Sequence, residues 1–175
     1  MGTLSDAVLR ATADKLIAAH RKASRTNDWL FFVDEIYAAD CIYTCEYAGV
    51  MEVTANGIDD IKATHYGRDM AVGWEGWTFP YVGVYTGTDN RLVTHWLNRG
   101  PGRRADGSYF ETPGVSFITL NDEARICRQF DLFDLAHQMK LCDELEDAGL
   151  LSPGLKAQWV LPMKEKLEAQ LGRNR

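Results

Sequence analysis

"WLFFVDEIYAADCIYTCEYAGVMEVTANGIDDIKA", residues 29–63, changes its period twice, and those changes set the fold class. Leu30, Phe31, Val33, Ile36 and Tyr37 give the segment "WLFFVDEIYAA" a helical apolar face, with Asn27 or Asp28 available as N-cap after the interruption "RTNDW". From Asp40 onward, β-branched and aromatic residues predict a strand, and the break at Ala48-Gly49 leaves room for a short second one. Asn56-Gly57 then opens a third helix near residue 58, whose apolar face carries Ile58, Ile61 and His65.

Upstream, residues 5–23 place Val8, Leu9, Thr12, Leu16 and Ala19 at helical spacing. Downstream of Trp77 the helical period stops. Segments 78–86, 90–99, 109–120 and 124–133 read as long strands, separated by the turn chemistry of "TGTDN", "GRRADGS" and "LNDEA". Helical spacing returns in "LAHQMKLCDELEDAG", with Asp134 as N-cap and Gly149 and Pro153 as the stop. A final helix, "LKAQWVLPMKEKLEAQL", is expected to kink or restart at Pro162. Helices followed by a run of antiparallel strands define an α+β order rather than βαβ, and long twisted strands curve around the helices they cover.

At 175 residues the chain has the size of one domain. A net charge of −6 argues against nucleic acid as a partner, and the one basic cluster, Arg99, Arg103 and Arg104, reads as a solvated hairpin tip. No stretch is apolar for long enough to cross a bilayer, so no membrane association is expected. The start "MGTLSDAVLRATADK" lacks the pattern of a secretory signal. Cys41, Cys45, Cys127 and Cys142 show no zinc-type spacing and read as free thiols in a reducing, cytoplasmic setting. The four histidines are scattered and no glycine-rich phosphate loop occurs, so the expectation is cofactor-free chemistry without a metal.

The order of elements, with "FFVDEIYAADCIYTCEYAG" leaving the second helix for the first strand and "NGIDDIKA" starting the next helix, resembles the SnoaL-like group of the NTF2-like superfamily. The resemblance implies a cone-shaped α+β barrel over residues 1–137, its curved and mostly antiparallel sheet wrapped on the N-terminal helices. Residues 138–175 are then a C-terminal helical extension packed on the same domain. It also implies an apolar pocket inside the cone, with chemistry on inward strand positions. The fold by itself does not fix an activity.

Parity selects those positions. Along "CRQFDLFD", Cys127, Gln129, Asp131 and Phe133 share one face, which puts a carboxylate among apolar neighbours. The run is similar to the end of limonene epoxide hydrolases, where the first aspartate of the last strand is the general acid or base, and this implies a catalytic role for Asp131. The Arg and Asp that family carries on the preceding long strand are replaced by Trp96 and Asn98. Its Tyr and Asn on the first strand fall on Tyr43 and Cys45. What remains is a smaller polar set, Asp131, Tyr43 and Asn98, in which Tyr43 donates to a substrate oxygen and Asn98 orients Asp131. The other reading of Asp131 is a structural pairing with Arg128, Arg99 or a helix start.

His95 faces away from Trp96 and Asn98 by parity, but a bulge would turn it inward as the base, as in scytalone dehydratases. The partner positions of that dyad hold Ser24 or Arg25 and Phe79, so it is not reproduced. The positions matching the acids of ketosteroid isomerases, near Cys45 or Glu46 and Val115 or Ser116, supply no suitable acid pair. His20 and His137 read as structural or solvated. Trp96, Cys45, Phe79, Tyr81, Phe133 and His65 are the expected substrate-binding residues, and a pocket rich in such aromatics suits an apolar oxygenated ligand.

The expectation is a cofactor-independent enzyme that dehydrates, isomerises, cyclises or opens an epoxide in a small apolar oxygenated substrate. A non-catalytic ligand carrier is one alternative. Another is an interaction domain whose outer sheet face, with Val93, His95 and Leu97, forms a homodimer or hetero-oligomer.

Overall fold

The computed structural model describes residues 2–70 and 73–172. Helix α1 (Asp6–Thr26) starts at Ser5, whose hydroxyl caps the Val8 amide, and ends where Asn27 turns left-handed at φ 54°. Asp28 caps α2 (Trp29–Ile36) by accepting from the Phe31 amide. This helix is shorter than "WLFFVDEIYAA" suggests, because the chain passes straight into β1 (Tyr37–Tyr47). Tyr37 is fully buried and donates its hydroxyl to Gln129, a contact that draws it into the sheet. Ala48 and Gly49, both at positive φ, turn the chain into β2 (Met51–Asn56), the short second strand. Helix α3 (Ile58–Ile61) continues as a π-helix over Lys62–Asp69.

A meander follows, β3 (Tyr81–Thr86), β4 (Arg91–Arg99), β5 (Glu111–Leu120) and β6 (Ile126–Phe133), with antiparallel pairing throughout. β6 then pairs in parallel with β1, giving the order β2-β1-β6-β5-β4-β3. The sheet is therefore mixed, and β2 and β3 form its two open edges.

Register defines rows of inward residues across this sheet. Leu92, Ile118, Gln129, Tyr43 and Ala55 form one row, and Thr94, Ser116, Asp131, Cys45 and Val53 the next. Tyr81, Trp96, Gly114 and Phe133 form a third. At Gly114 a Cβ would lie 2.3 Å from the Trp96 ring, so only glycine lets that indole lie flat across β5.

Asp134 caps α4 (Leu135–Asp147) through the His137 amide. After α5 (Pro153–Leu155) a π-helical turn, Lys156–Val160, leads into α6 (Leu161–Gly172), where Pro162 occupies the second position, so the helix restarts there. Leu145, Leu155, Val160 and Met163 join Leu9, Leu16 and Phe32 in one hydrophobic cluster. Each such large side chain contributes about 1.5–3 kcal/mol on burial. Gly73, at φ 83°, lies so close to Leu155 that a Cβ would sit 2.4 Å from its amide nitrogen, and the Ser152 hydroxyl donates to the Gly73 carbonyl at 2.8 Å. These contacts hold the extension against the loop that leads to Trp74.

Candidate active site

Asp131 lies at the centre of the inward rows, 7 % exposed, with no cation against it among the described residues. Arg99 pairs with Glu111 instead. Three neutral groups serve the carboxylate. Tyr43 donates to Oδ2 at 3.0 Å and the Gln129 amide to Oδ1 at 2.9 Å. The Ser116 hydroxyl, which itself accepts from the Trp96 indole at 2.9 Å, supplies the third. Burial pushes the carboxyl up to about 6, and the hydrogen bonds from Ser116, Gln129 and Tyr43 restrain that rise.

The donors are themselves ordered. Tyr37 donates to the Gln129 carbonyl at 2.7 Å, so its oxygen accepts from Tyr66 at 2.9 Å, and the chain Tyr66, Tyr37, Gln129 points its protons toward Asp131. On the other side Tyr43 gives its proton to Asp131, so His65 must donate from Nε2 to the Tyr43 oxygen across 3.0 Å. His65 reaches this point from the π-helical stretch, its ring stacked on Tyr43 with centroids 4.4 Å apart. Burial raises Tyr43 well above the ordinary tyrosine range, so it remains a proton donor.

The carboxylate borders a cavity of about 110 Å³ with mostly aromatic walls. All six expected substrate-binding residues line it: Trp96, Cys45, Phe79, Tyr81, Phe133 and His65. So do Asp131, Tyr43 and Asn98.

Two expected roles change. The Asn98 amide donates to Gln138 of α4 at 3.1 Å, and Thr112 donates to the same oxygen at 2.6 Å. Asn98 lies four residues along β4 from Thr94, the position level with Asp131, a displacement of about 13 Å at strand rise. Gln129 and Ser116 hold the carboxylate in its place. His95 does not line the cavity: it pairs with Val115 and Gly83 on the outer face. A bulge exists, but it falls on β3, between Tyr81 and Gly83, so the register of β4 with β5 runs unbroken and the side of His95 is unchanged.

The sequence does not single out several contributors, Ser116 and Tyr66 among them. Gln129 carries the parity signal and only its role was unread. Trp159 comes from the π-helical turn of the extension and closes the cavity against Trp74 and Phe133, with centroids at 5.8 and 6.5 Å. His20 lines the cavity from α1, where its spacing gave no hint of a pocket.

No protein-family model matches the sequence, and no curated protein matches it. Among solved structures, an NTF2-like protein from Burkholderia thailandensis E264 superimposes with a TM-score of 0.55 at 17% identity, covering 74% of this chain and 95% of its own. TerC, co-crystallised with polyporic acid, gives 0.56 at 17% identity over 74% of this chain and 97% of its own. A SnoaL-like protein of unknown function from B. thailandensis E264 gives 0.52 at 13% identity, with 75% and 98% covered. The chain thus has the NTF2-like α+β fold that its order of elements suggested. A quarter of it has no counterpart in these nearly whole-length matches.

Proposed function

We propose that the chain is a cofactor-independent acid/base enzyme acting on a small oxygenated ring compound. The observation that carries this reading is a buried carboxyl, held among the described residues by neutral donors and raised to about 6, on the wall of an aromatic cavity. Such a group takes and returns a proton near neutrality, where an ordinary aspartate is too weak a base to share it. Tyr43 and the His65 proton behind it compensate the charge on Asp131 as it changes. Proton abstraction beside a carbonyl is the step shared by isomerisation, dehydration and cyclisation, and the reading is stated at that level.

Size narrows the substrate. A dry cavity of about 150 Å³ accepts benzene, so 110 Å³ suits about one small ring. The test is exchange of the α-protons of cyclohexanone for deuterium. Wild-type protein is expected to accelerate it, and Asp131→Asn to lose that acceleration by about 10²–10⁴-fold while still binding the ketone. No acceleration, or an equal rate in the variant, moves the reading to a ligand carrier.

The same chain is proposed to dimerise through its outer sheet face, as Phe117 and Tyr85 there are 48% and 58% exposed. Sedimentation of wild type and Phe117→Glu checks this, with a monomer expected only for the variant.

A further inference from the structure

His20 lies on α1, 7 % exposed, and lines the cavity. Its ring stacks on Tyr81 at 4.0 Å and 25°, and meets the edges of Trp29 and Phe32 at 5.3 and 5.6 Å. Among the described residues neither ring nitrogen has a hydrogen-bond partner. Burial pushes the imidazole down to about 4, so it is neutral at physiological pH and presents one N–H and one lone pair. Neither nitrogen is among the fully buried unpartnered atoms of the described residues, so both are open to the cavity or to solvent.

Tyr81 stands on β3 and Asp131 on β6, three strands apart in the sheet. Three inter-strand steps measure about 14 Å and the two-residue offset between their rows about 7 Å, so the two lie about 16 Å apart along the sheet, a path that curvature shortens. A single ring with oxygens on opposite sides, about 5 Å apart, reaches about 10–11 Å when a hydrogen bond of about 2.8 Å is added at each end.

We propose that His20 is a ligand-binding residue, which holds a second oxygen of a one-ring, doubly oxygenated substrate while the first meets Asp131 and Tyr43. This rests on the cavity being the substrate site proposed above. Because no group among the described residues fixes the tautomer of His20, the ring can accept from a hydroxyl or donate to a carbonyl. It thereby selects for the presence of the second oxygen rather than for its oxidation level. His20 also borders a surface groove between α1 and β3, where solvent is the competing partner.

The probes are cyclohexanone and 4-hydroxycyclohexanone. Wild-type protein is expected to bind the hydroxyketone about tenfold more tightly than the ketone, and His20→Phe to erase that preference. In wild-type protein the ¹⁵N signals of the His20 ring are expected to move with the hydroxyketone and stay with the ketone, an observation that needs no folded variant. Equal loss for both probes, a preference that survives His20→Phe, no binding of the hydroxyketone, or an unmoved ring signal overturns the proposal. α-Proton exchange separates it from the acid/base reading: a His20-dependent preference without exchange in wild type sustains this proposal while the catalytic one falls.

Discussion

The two ends of the cavity treat a buried ionisable group in opposite ways. At the β6 end, Asp131 is surrounded by donors whose protons all point toward it, from Tyr43, Gln129 and Ser116. At the α1 end, His20 is surrounded by the rings of Trp29, Phe32 and Tyr81 and has no hydrogen bond among the described residues. Both groups are driven toward neutrality by burial, the aspartate up to about 6 and the histidine down to about 4. The difference is in what remains to be satisfied. The protein has already met the needs of the carboxylate, whereas those of the imidazole are left to whatever enters. A site with one prepared end and one open end treats proton transfer and recognition as separate tasks.

The strongest way to break the comparison is through pH. For Asp131 the folded value lies above the unfolded one, so its contribution to stability is lost as pH rises from about 4 to about 6. For His20 the folded value lies below, so stability is lost as pH falls from about 6.5 to about 4. Each change is on the order of 3 kcal/mol, and between pH 4 and 6 they oppose one another. Urea unfolding should therefore show Asp131→Asn gaining on wild type as pH rises through that window, and His20→Phe gaining as pH falls. Parallel curves for all three proteins would mean that neither group is held neutral.

A smaller effect sharpens the prepared end. Gly114→Ala places a methyl 2.3–2.5 Å from three atoms of the Trp96 ring, which must swing away and release Ser116. The overpacking costs about 1–3 kcal/mol, a fall in Tm of roughly 2–12 °C for a chain of this length, and the shift of the indole is visible in near-ultraviolet circular dichroism. The smallest concerns the roof shared by both ends. Trp159→Ala removes a cavity wall that the extension supplies, and a two-ring ketone such as decalone should then bind about tenfold more tightly than to wild type. Unchanged affinity would show that Trp159 does not limit ligand size.

Much of the prepared end was legible because strand parity is a strict rule. Gln129, Asp131 and Phe133 share a face by spacing alone and all three line the cavity, whereas Cys127, expected with them, does not, because a register shift at Thr119/Leu120 breaks the alternation there. The same rule put His95 outward, and the one irregularity that could have reversed it falls on the neighbouring strand. Asn98 has the right parity and the wrong height, since the row on which a residue lies depends on pairing between strands. The open end was not legible. Helical spacing shows that position 20 faces the interior but not whether it meets packed side chains or a void.

The sequence by itself determined the order of helices and strands, the inward face of each strand and the presence of one carboxyl on an apolar face, because period and capping are local properties of the chain. Only the tertiary structure decided which donors reach Asp131, that Gln138 takes Asn98 away from it, and that Trp159 and His20 close the same cavity. Those outcomes depend on register and on the docking of segments from 40 to more than a hundred residues apart, where the free energy comes from contacts that no local pattern encodes.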